Sequence, residues 1–245
     1  MPVLSFIVPC FNEEEVLPTA LTRLRAAGVA TGESFEIVLI DDGSTDRTWE
    51  LIAAAARDNA PVVRGLRFAR NFGQHAAMLA GIAHARGDHV LLVDADLQDP
   101  PELAGAMLAR AWEGFDIVTG VRRSRAGESQ MKRATAWAFH RALTLFAPRP
   151  IPVDSGYFLL LSRRAVDALL TLPARDRYLR LLVSLLDLPR VAFPYDRAPR
   201  LAGQSHYSYA RLCGLAWHAF VSCLRRPSAD AAGARPLFEI RETAP

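Results

Sequence analysis

The sequence predicts an α/β fold: a mostly parallel sheet flanked by helices. Three observations carry that expectation. Short apolar runs alternate with helical stretches of about 10–15 residues through the first half, as in parallel strands joined by right-handed crossovers. Polar clusters end nearly every apolar run, at Pro9–Glu13, Asp41–Asp46, Arg70–Gln74, Asp94–Gln98 and Gly120–Arg123. Ligands of such sheets bind outside the carboxyl ends of the strands, so these clusters sort to one functional edge. Finally, 245 residues that are 51% hydrophobic suffice for one full core.

The elements follow in order. Leu4–Val8 is a buried strand, and a helix is expected from about Glu14 to Ala27, with Asn12 as its N-cap and Glu13 to Glu15 favouring the positive helix end. Phe35–Ile40 is the second strand and Thr45–Asn59 the second helix. Val62–Phe68 and Gln74–Ala85 form the next pair, then His89–Val93 and Pro101–Trp112. Pro100 and Pro101 open that helix where a missing N–H costs nothing. Asp116–Thr119 is the fifth strand. The alternation then breaks. Glu128–Phe146 reads as a helix, Phe158–Leu161 as a strand, Arg163–Leu170 and Tyr178–Leu186 as helices, and Val191–Pro194 as a short strand. A polar loop, Tyr195–Ser208, precedes a last helix over about Tyr209–Leu224. The tail, 228–245, is rich in Ala, Pro and charge and is expected to be loosely ordered.

Composition narrows the function classes. A net charge of +3 excludes a bulk nucleic-acid binder. The basic residues cluster, however: Arg122, Arg123, Arg125, Lys132 and Arg133 in one segment, Arg197, Arg200, Arg211, Arg225 and Arg226 in another. Such clusters suit phosphate groups or an anionic membrane surface, with ordinary solvated charge as the plain alternative. Three cysteines, Cys10, Cys213 and Cys223, are too few and too scattered for a disulfide scaffold or a zinc site, which points to a reducing compartment. The start lacks a basic n-region, and no apolar run reaches the roughly 20 residues that span a bilayer. The expectation is a cytoplasmic protein that lies on a membrane without crossing it.

Asp94-Ala95-Asp96 is the most informative stretch. Two carboxylates delivered to a strand end suit a hard divalent cation, Mg²⁺ or Mn²⁺, that also takes oxygens from a substrate diphosphate. Asp96 is the expected direct ligand, with Asp94 on a ribose or behind the metal. Gln98 is placed to orient donor or acceptor, and Asp99 to cap the following helix. Phe11 and Glu13 offer a ring face for a nucleobase and a carboxylate for base or ribose donors; Asp42 is set to accept from a base imide N–H. A capped helix start and an Asx-turn are the plainer readings of those two loops. Arg122, Lys132 and Arg133 form a basic rim beside the metal, which implies an anionic second substrate. The loop from Arg197 to Tyr207 has a hinge at Gly203 and is built to close over a diphosphate.

Together these residues resemble the family 2 inverting glycosyltransferases of the GT-A fold, most closely the polyprenyl-phosphate sugar transferases: dolichol-phosphate mannose synthase and the undecaprenyl-phosphate glycosyltransferases. The resemblance runs from Val3 to about Pro227 through VPCFNEEE, IDDGSTDRT, RNFGQHAAMLAG, GDHVLLVDADLQDPPE, GVRRSR, VDSGYFLL and the Arg200–Tyr207 pattern R-x-x-G-x-S-x-Y. It implies nucleoside contacts at Pro9, Phe11, Glu13 and Asp42, and metal and donor contacts at Asp94, Ala95, Asp96 and Gln98. It further implies acceptor-phosphate contacts at Arg122, Lys132 and Arg133, and a diphosphate grip by Arg200 and His206. UDP is favoured over GDP on the branch resembled. Phe11 stands where Tyr is usual, and His206 where Lys is common. Many bacterial relatives continue into two membrane-spanning helices.

The expected organisation is one GT-A domain over 1–227, with a nucleotide-sugar half at about 1–121 and an acceptor and membrane-interface half at about 122–227. The helices carrying Trp137, Phe139, Leu143 and Phe146, and Trp217, Phe220, Val221 and Leu224, are amphipathic with basic flanks. They suit a membrane interface, with core or dimer packing equally open. A homo-oligomer or a membrane-anchoring partner is compatible with this. Two other readings stay open: a soluble transferase acting on a small molecule, natural product or peptide, and a catalytically silent nucleotide-sugar-binding scaffold.

Overall fold

A computed structural model describes residues 1–123, 141, 155–172, 179–197 and 238–245. Its strands are β1 (Leu4–Cys10), β2 (Phe35–Asp41), β3 (Val63–Phe68), β4 (His89–Leu92), β5 (Ile117–Arg122), β6 (Ser155–Ser162), β7 (Arg190–Tyr195) and β8 (Ile240–Ala244). Helices α1 (Leu17–Ala30), α2 (Thr48–Asp58), α3 (Gln74–His84), α4 (Ala104–Trp112), α5 (Arg163–Thr171) and α6 (Leu179–Leu185) flank them. The eight strands form one sheet in the order β7-β5-β6-β4-β1-β2-β3-β8.

Strand β1 pairs in parallel with both β2 and β4. The chain winds outward from β1 through β2 to β3, then returns to the other side of β1 as β4. The gap between the carboxyl ends of β1 and β4 is therefore a topological switch point, where open α/β sheets bind ligands. Successive residues of β1 explain why it is central. Phe6 and Val8 pack with the α1, α2 and α4 layer, and Ile7 with the α3, α5 and α6 layer; all three are fully buried. A strand buried on both faces reads as the unbroken apolar run that the sequence displays.

Several expectations needed correction. Asn12 does not cap α1: that helix starts at Leu17 without a side-chain cap, and Asn12 sits at φ 55 and bonds to the loop after β2. Helix α2 likewise starts at Thr48 rather than Thr45. Strand β6 runs antiparallel between β4 and β5, so β5 never touches β4. Hydrophobic periodicity marks a buried strand but not its direction or neighbours.

The loosely ordered tail is also corrected at its end, because β8 adds an antiparallel edge strand to β3. Phe238 stacks on Phe68 with ring centroids 5.2 Å apart and planes at 9°. Arg67 reaches Glu242 at 3.7 Å. The polar segment IRETA gains its strand from this edge pairing rather than from its own pattern. The expected helices at Glu128–Phe146 and Tyr209–Leu224 lie outside the described residues. Among the described residues, no helix is long and apolar enough to cross a membrane.

Candidate active site

The loops after β1 and β2 are tied to each other beside the switch point. Asn12 N–H donates to Ser44 Oγ at 2.9 Å, and Asn12 Oδ1 accepts from Thr45 N–H at 2.9 Å. Glu13 N–H donates to Thr48 Oγ1 at 2.8 Å, and Arg47 N–H to Glu14 at 3.0 Å. These cross-loop bonds take the donors and acceptors that would otherwise have capped the two helices one turn earlier. Pro9 is buried within β1, opposite Ile40. Ile7 C=O accepts from Val93 N–H on the β4 side, so the missing N–H of Pro9, two residues on, faces the side where β4 has ended. Phe11 and Glu13 are half-buried at the strand tip.

Asp41 and Asp42 divide their work. Asp41 Oδ1 accepts from Ser44 N–H at 2.9 Å, while its Oδ2 faces Arg67 Nε at 3.4 Å without a hydrogen bond. Asp42 accepts from Phe72 N–H at 2.7 Å and Gly73 N–H at 2.9 Å, which pins the loop after β3. Burial, with Asp41 adding, pushes Asp42 up to about 6 against the pull of those two donors. Gly43 makes the approach feasible: at φ 71, a Cβ there would lie 2.4 Å from the Arg70 carbonyl carbon.

The pinned loop places the start of α3, and from it Gln74 Nε2 donates to Asp94 Oδ1 at 2.8 Å. His75, the next residue, meets Tyr157 Oη through Nε2 at 3.0 Å, and Leu179 N–H points at its Nδ1 at 3.5 Å. Burial, with Arg180 nearby, lowers His75 to about 4. The segment after β4 makes a tight turn. Leu97 N–H donates to Asp94 C=O at 3.2 Å, and Gln98 N–H to Asp96 Oδ1 at 3.1 Å. Leu97 itself is buried at φ 53, a left-handed conformation that a leucine rarely adopts and that marks strain stored at the turn. Ala95 is buried as well.

Electrostatics single out Asp94. Burial and the neighbouring carboxylates of Asp99 and Asp96 push it up to about 7, against the pull of Arg197 and Arg122. Arg122, at the end of β5, is more firmly protonated than usual: burial opposes its charge, but Asp99, the Tyr195 hydroxyl and Asp94 outweigh it. The structure thus brings Asp94, Asp96 and Arg122 together. Lys132, Arg133, Arg200 and His206 lie outside the described residues.

Two residues join the site unforeseen. Asp99 does not cap the turn at Pro101–Leu103; it is fully buried and accepts from Tyr195 Oη and from Arg197 Nε, the latter at 3.3 Å. Tyr195 comes from β7, far along the chain, and no local spacing connects the two. Gln74 was visible only as part of a motif.

The donor set suits a hard cation. Among the described residues no group of three or more His, Cys, Asp and Glu side chains converges on a metal position. Asp94 and Asp96 offer only two carboxylates, so a Mg²⁺ or Mn²⁺ ion held there would need substrate oxygens and water to complete its shell. Burial and the neighbouring carboxylates raise Asp94, and a divalent charge beside it would offset both.

The family model described as "Glycosyl transferase family 2" matches residues 5–170. The chain belongs to this family. As a family 2 member it is a glycosyltransferase, and it is 35% identical over 223 residues to an uncharacterized glycosyltransferase of Bacillus subtilis, covering 91% of this chain and 69% of that protein. It is also 35% identical over 221 residues to the undecaprenyl-phosphate 4-deoxy-4-formamido-L-arabinose transferase of Salmonella paratyphi A, covering 90% of this chain and 67% of the relative.

Solved structures of similar fold include mannosyl-3-phosphoglycerate synthase from Rubrobacter xylanophilus, with a TM-score of 0.59, 16% identity and coverage of 100% of this chain and 89% of that one. Another is glucosyl-3-phosphoglycerate synthase from Mycobacterium tuberculosis in complex with Mn²⁺, UDP and phosphoglyceric acid, at TM-score 0.58 and 21% identity, covering 96% and 80%. The family 2 chain thus has the GT-A architecture that its sequence implied.

Proposed function

We propose that the chain is a metal-dependent inverting glycosyltransferase that moves a sugar from a nucleotide diphosphate sugar, UDP-linked by preference, to a polyprenyl phosphate. The observation that carries this reading is the Asp94–Asp96 turn at the carboxyl end of β4, beside the switch point, with the Arg122 guanidinium next to it. The similarity to the Salmonella undecaprenyl-phosphate transferase supports the lipid acceptor.

Phe11, Glu13 and Asp42 would receive the nucleoside, with Pro9 packing beneath it. Asp94 and Asp96 would hold Mg²⁺ or Mn²⁺, which when bound supplies Lewis-acid neutralisation of the charge growing on the leaving diphosphate. Ala95 and Gln98 would line the donor sugar, and Arg200 and His206 would grip the diphosphate. Arg122, Lys132 and Arg133 would hold the acceptor phosphate.

An acceptor phosphate oxygen already carries negative charge, so its attack on the anomeric carbon requires no general base. The new C–O bond forms as the bond to the diphosphate breaks, and the configuration inverts. What the protein contributes is positioning and preset charge. The enzyme would work at the cytoplasmic face of a membrane, held at the surface by its basic clusters or by an anchoring partner.

The test is transfer of radiolabelled sugar from UDP-glucose and a panel of other nucleotide sugars, with Mn²⁺ and undecaprenyl phosphate in anionic vesicles. The reading expects label in the organic extract. Label found only in a water-soluble glycoside contradicts the lipid acceptor.

A further inference from the structure

Asp99 has no place in the mechanism above, yet it is fully buried in the site. Its Oδ1 accepts from Tyr195 Oη and Arg197 Nε, and its Oδ2 has no hydrogen-bond partner. A buried carboxylate so poorly supplied is costly unless it holds something in place.

The geometry indicates what it holds. Tyr195 ends β7 directly opposite Arg122 at the end of β5. Its hydroxyl gives its proton to Asp99, and the charged Arg122 side chain lies close enough to that hydroxyl to act on it. The three residues thus stand in order, guanidinium beside phenol and phenol bonded to carboxylate. Burial and Asp99 keep the phenol protonated, so it is the donor towards the carboxylate.

Room for this chain is written into the backbone. A Cβ on Gly120 would lie 2.7 Å from Phe158 Cδ1 and 3.1 Å from Tyr195 Cε1. The Tyr195 ring packs there, 5.1 Å from the Phe158 ring. A Cβ on Gly156 would lie 3.0 Å from Arg122 Nη2. The slot for the guanidinium is therefore lined by backbone.

The arrangement resolves a conflict. Arg122 stands near Asp94 and Asp99, and Asp94 in turn near Asp96. Unrestrained, its long side chain would settle on Asp94 and Asp96 and neutralise the carboxylates that a cation needs. A buried counter-charge set behind a neutral hydroxyl gives it a different anchor.

We propose that Asp99 and Tyr195 are positioning residues that hold the Arg122 guanidinium beside the Asp94–Asp96 turn without letting it occupy that turn. The inference rests on the reading of Arg122 as a phosphate-binding residue. The test is a double-mutant cycle on sugar transfer with Tyr195→Phe, Arg122→Gln and the pair, joined to a crystal structure of Tyr195→Phe. Tyr195→Phe keeps its ring packing. It is expected to stay folded, with a lowered melting temperature and an unchanged nucleotide-sugar KM, while kcat falls by about tenfold to a hundredfold, the scale of a small misplacement. The pair is expected to be no slower than Arg122→Gln, because Tyr195 acts through Arg122. Losses that multiply, or a parental kcat in Tyr195→Phe, overturn the proposal. Asp99→Asn supplies the same cycle should Tyr195→Phe fail to fold. The crystal structure reads the guanidinium directly and does not depend on the acceptor. An unmoved Arg122 overturns the positioning role even where the parent proves not to use a polyprenyl phosphate, and a displaced one supports it in that same case.

Discussion

Both ends of this sheet bury carboxylates, and they treat them in opposite ways. At the amino end, Glu36 accepts from Ser5 Oγ at 2.7 Å, from Arg86 N–H at 2.6 Å and from Arg64 Nη1 at 3.1 Å. Its charge is matched and its oxygens are occupied. At the carboxyl end, Asp94 is raised by burial and by two neighbouring carboxylates, and Asp41 and Asp99 each keep one oxygen without a hydrogen bond. A satisfied buried charge fastens strands together. An under-satisfied cluster holds repulsion that a cation or a ligand can relieve, and such imbalance gathers at functional sites. The same side-chain chemistry therefore serves structure at one end and, in the function proposed, catalysis at the other.

The comparison can be broken from either side. Asp96→Ala is expected to lower transfer by about a thousandfold while leaving the fold intact, since it removes a metal ligand and not a strand contact. Turnover and circular dichroism of the purified variant check this; activity within about tenfold of the parent contradicts it. Glu36→Ala should do the reverse. It strands Arg64, whose side chain is 15% exposed, and is expected to cost about 3 kcal/mol in urea unfolding with kcat nearly unchanged. Parental stability would show that the amino-end network contributes nothing.

His75 sharpens the contrast, because it is a supplied group inside the functional edge. Its pKa is lowered to about 4 in the fold, below the usual 6.5. Its contribution to stability is thus fully present above about pH 6.5 and is lost as pH falls towards about 4, by about 3 kcal/mol. His75→Gln should flatten that part of the pH–stability curve, and an identical slope in the variant refutes the assignment. The smallest effect is the most diagnostic. In chelator, Asp94→Asn is expected to raise stability by about 1 kcal/mol, a few degrees in Tm, because it removes repulsion and keeps the bond from Gln74. A lowered Tm would mean that Asp94 is a structural charge like Glu36.

Much of this edge was legible in the sequence because its parts are local. An apolar run followed by Asp94-Ala95-Asp96 announces both a buried strand and the acidic turn at its tip. Asp41-Asp42-Gly43 does the same for β2. What stayed hidden depends on contacts between distant segments. Asn12 and Ser44 look like helix caps until each is found bonding across to the other's loop. Strand β6 gives no sign that it runs against its neighbours. Asp99 reads as a cap because its partner Tyr195 belongs to another strand. The IRETA segment becomes a strand only on the edge of β3.

The central claim is that Asp94 and Asp96 bind a divalent ion together with a nucleoside diphosphate. Calorimetric titration of UDP into the purified chain, with Mn²⁺ or with chelator, tests it most directly. The account predicts binding that requires Mn²⁺ and disappears in Asp96→Ala. Equal affinity for UDP in both conditions, unchanged by that substitution, would contradict it.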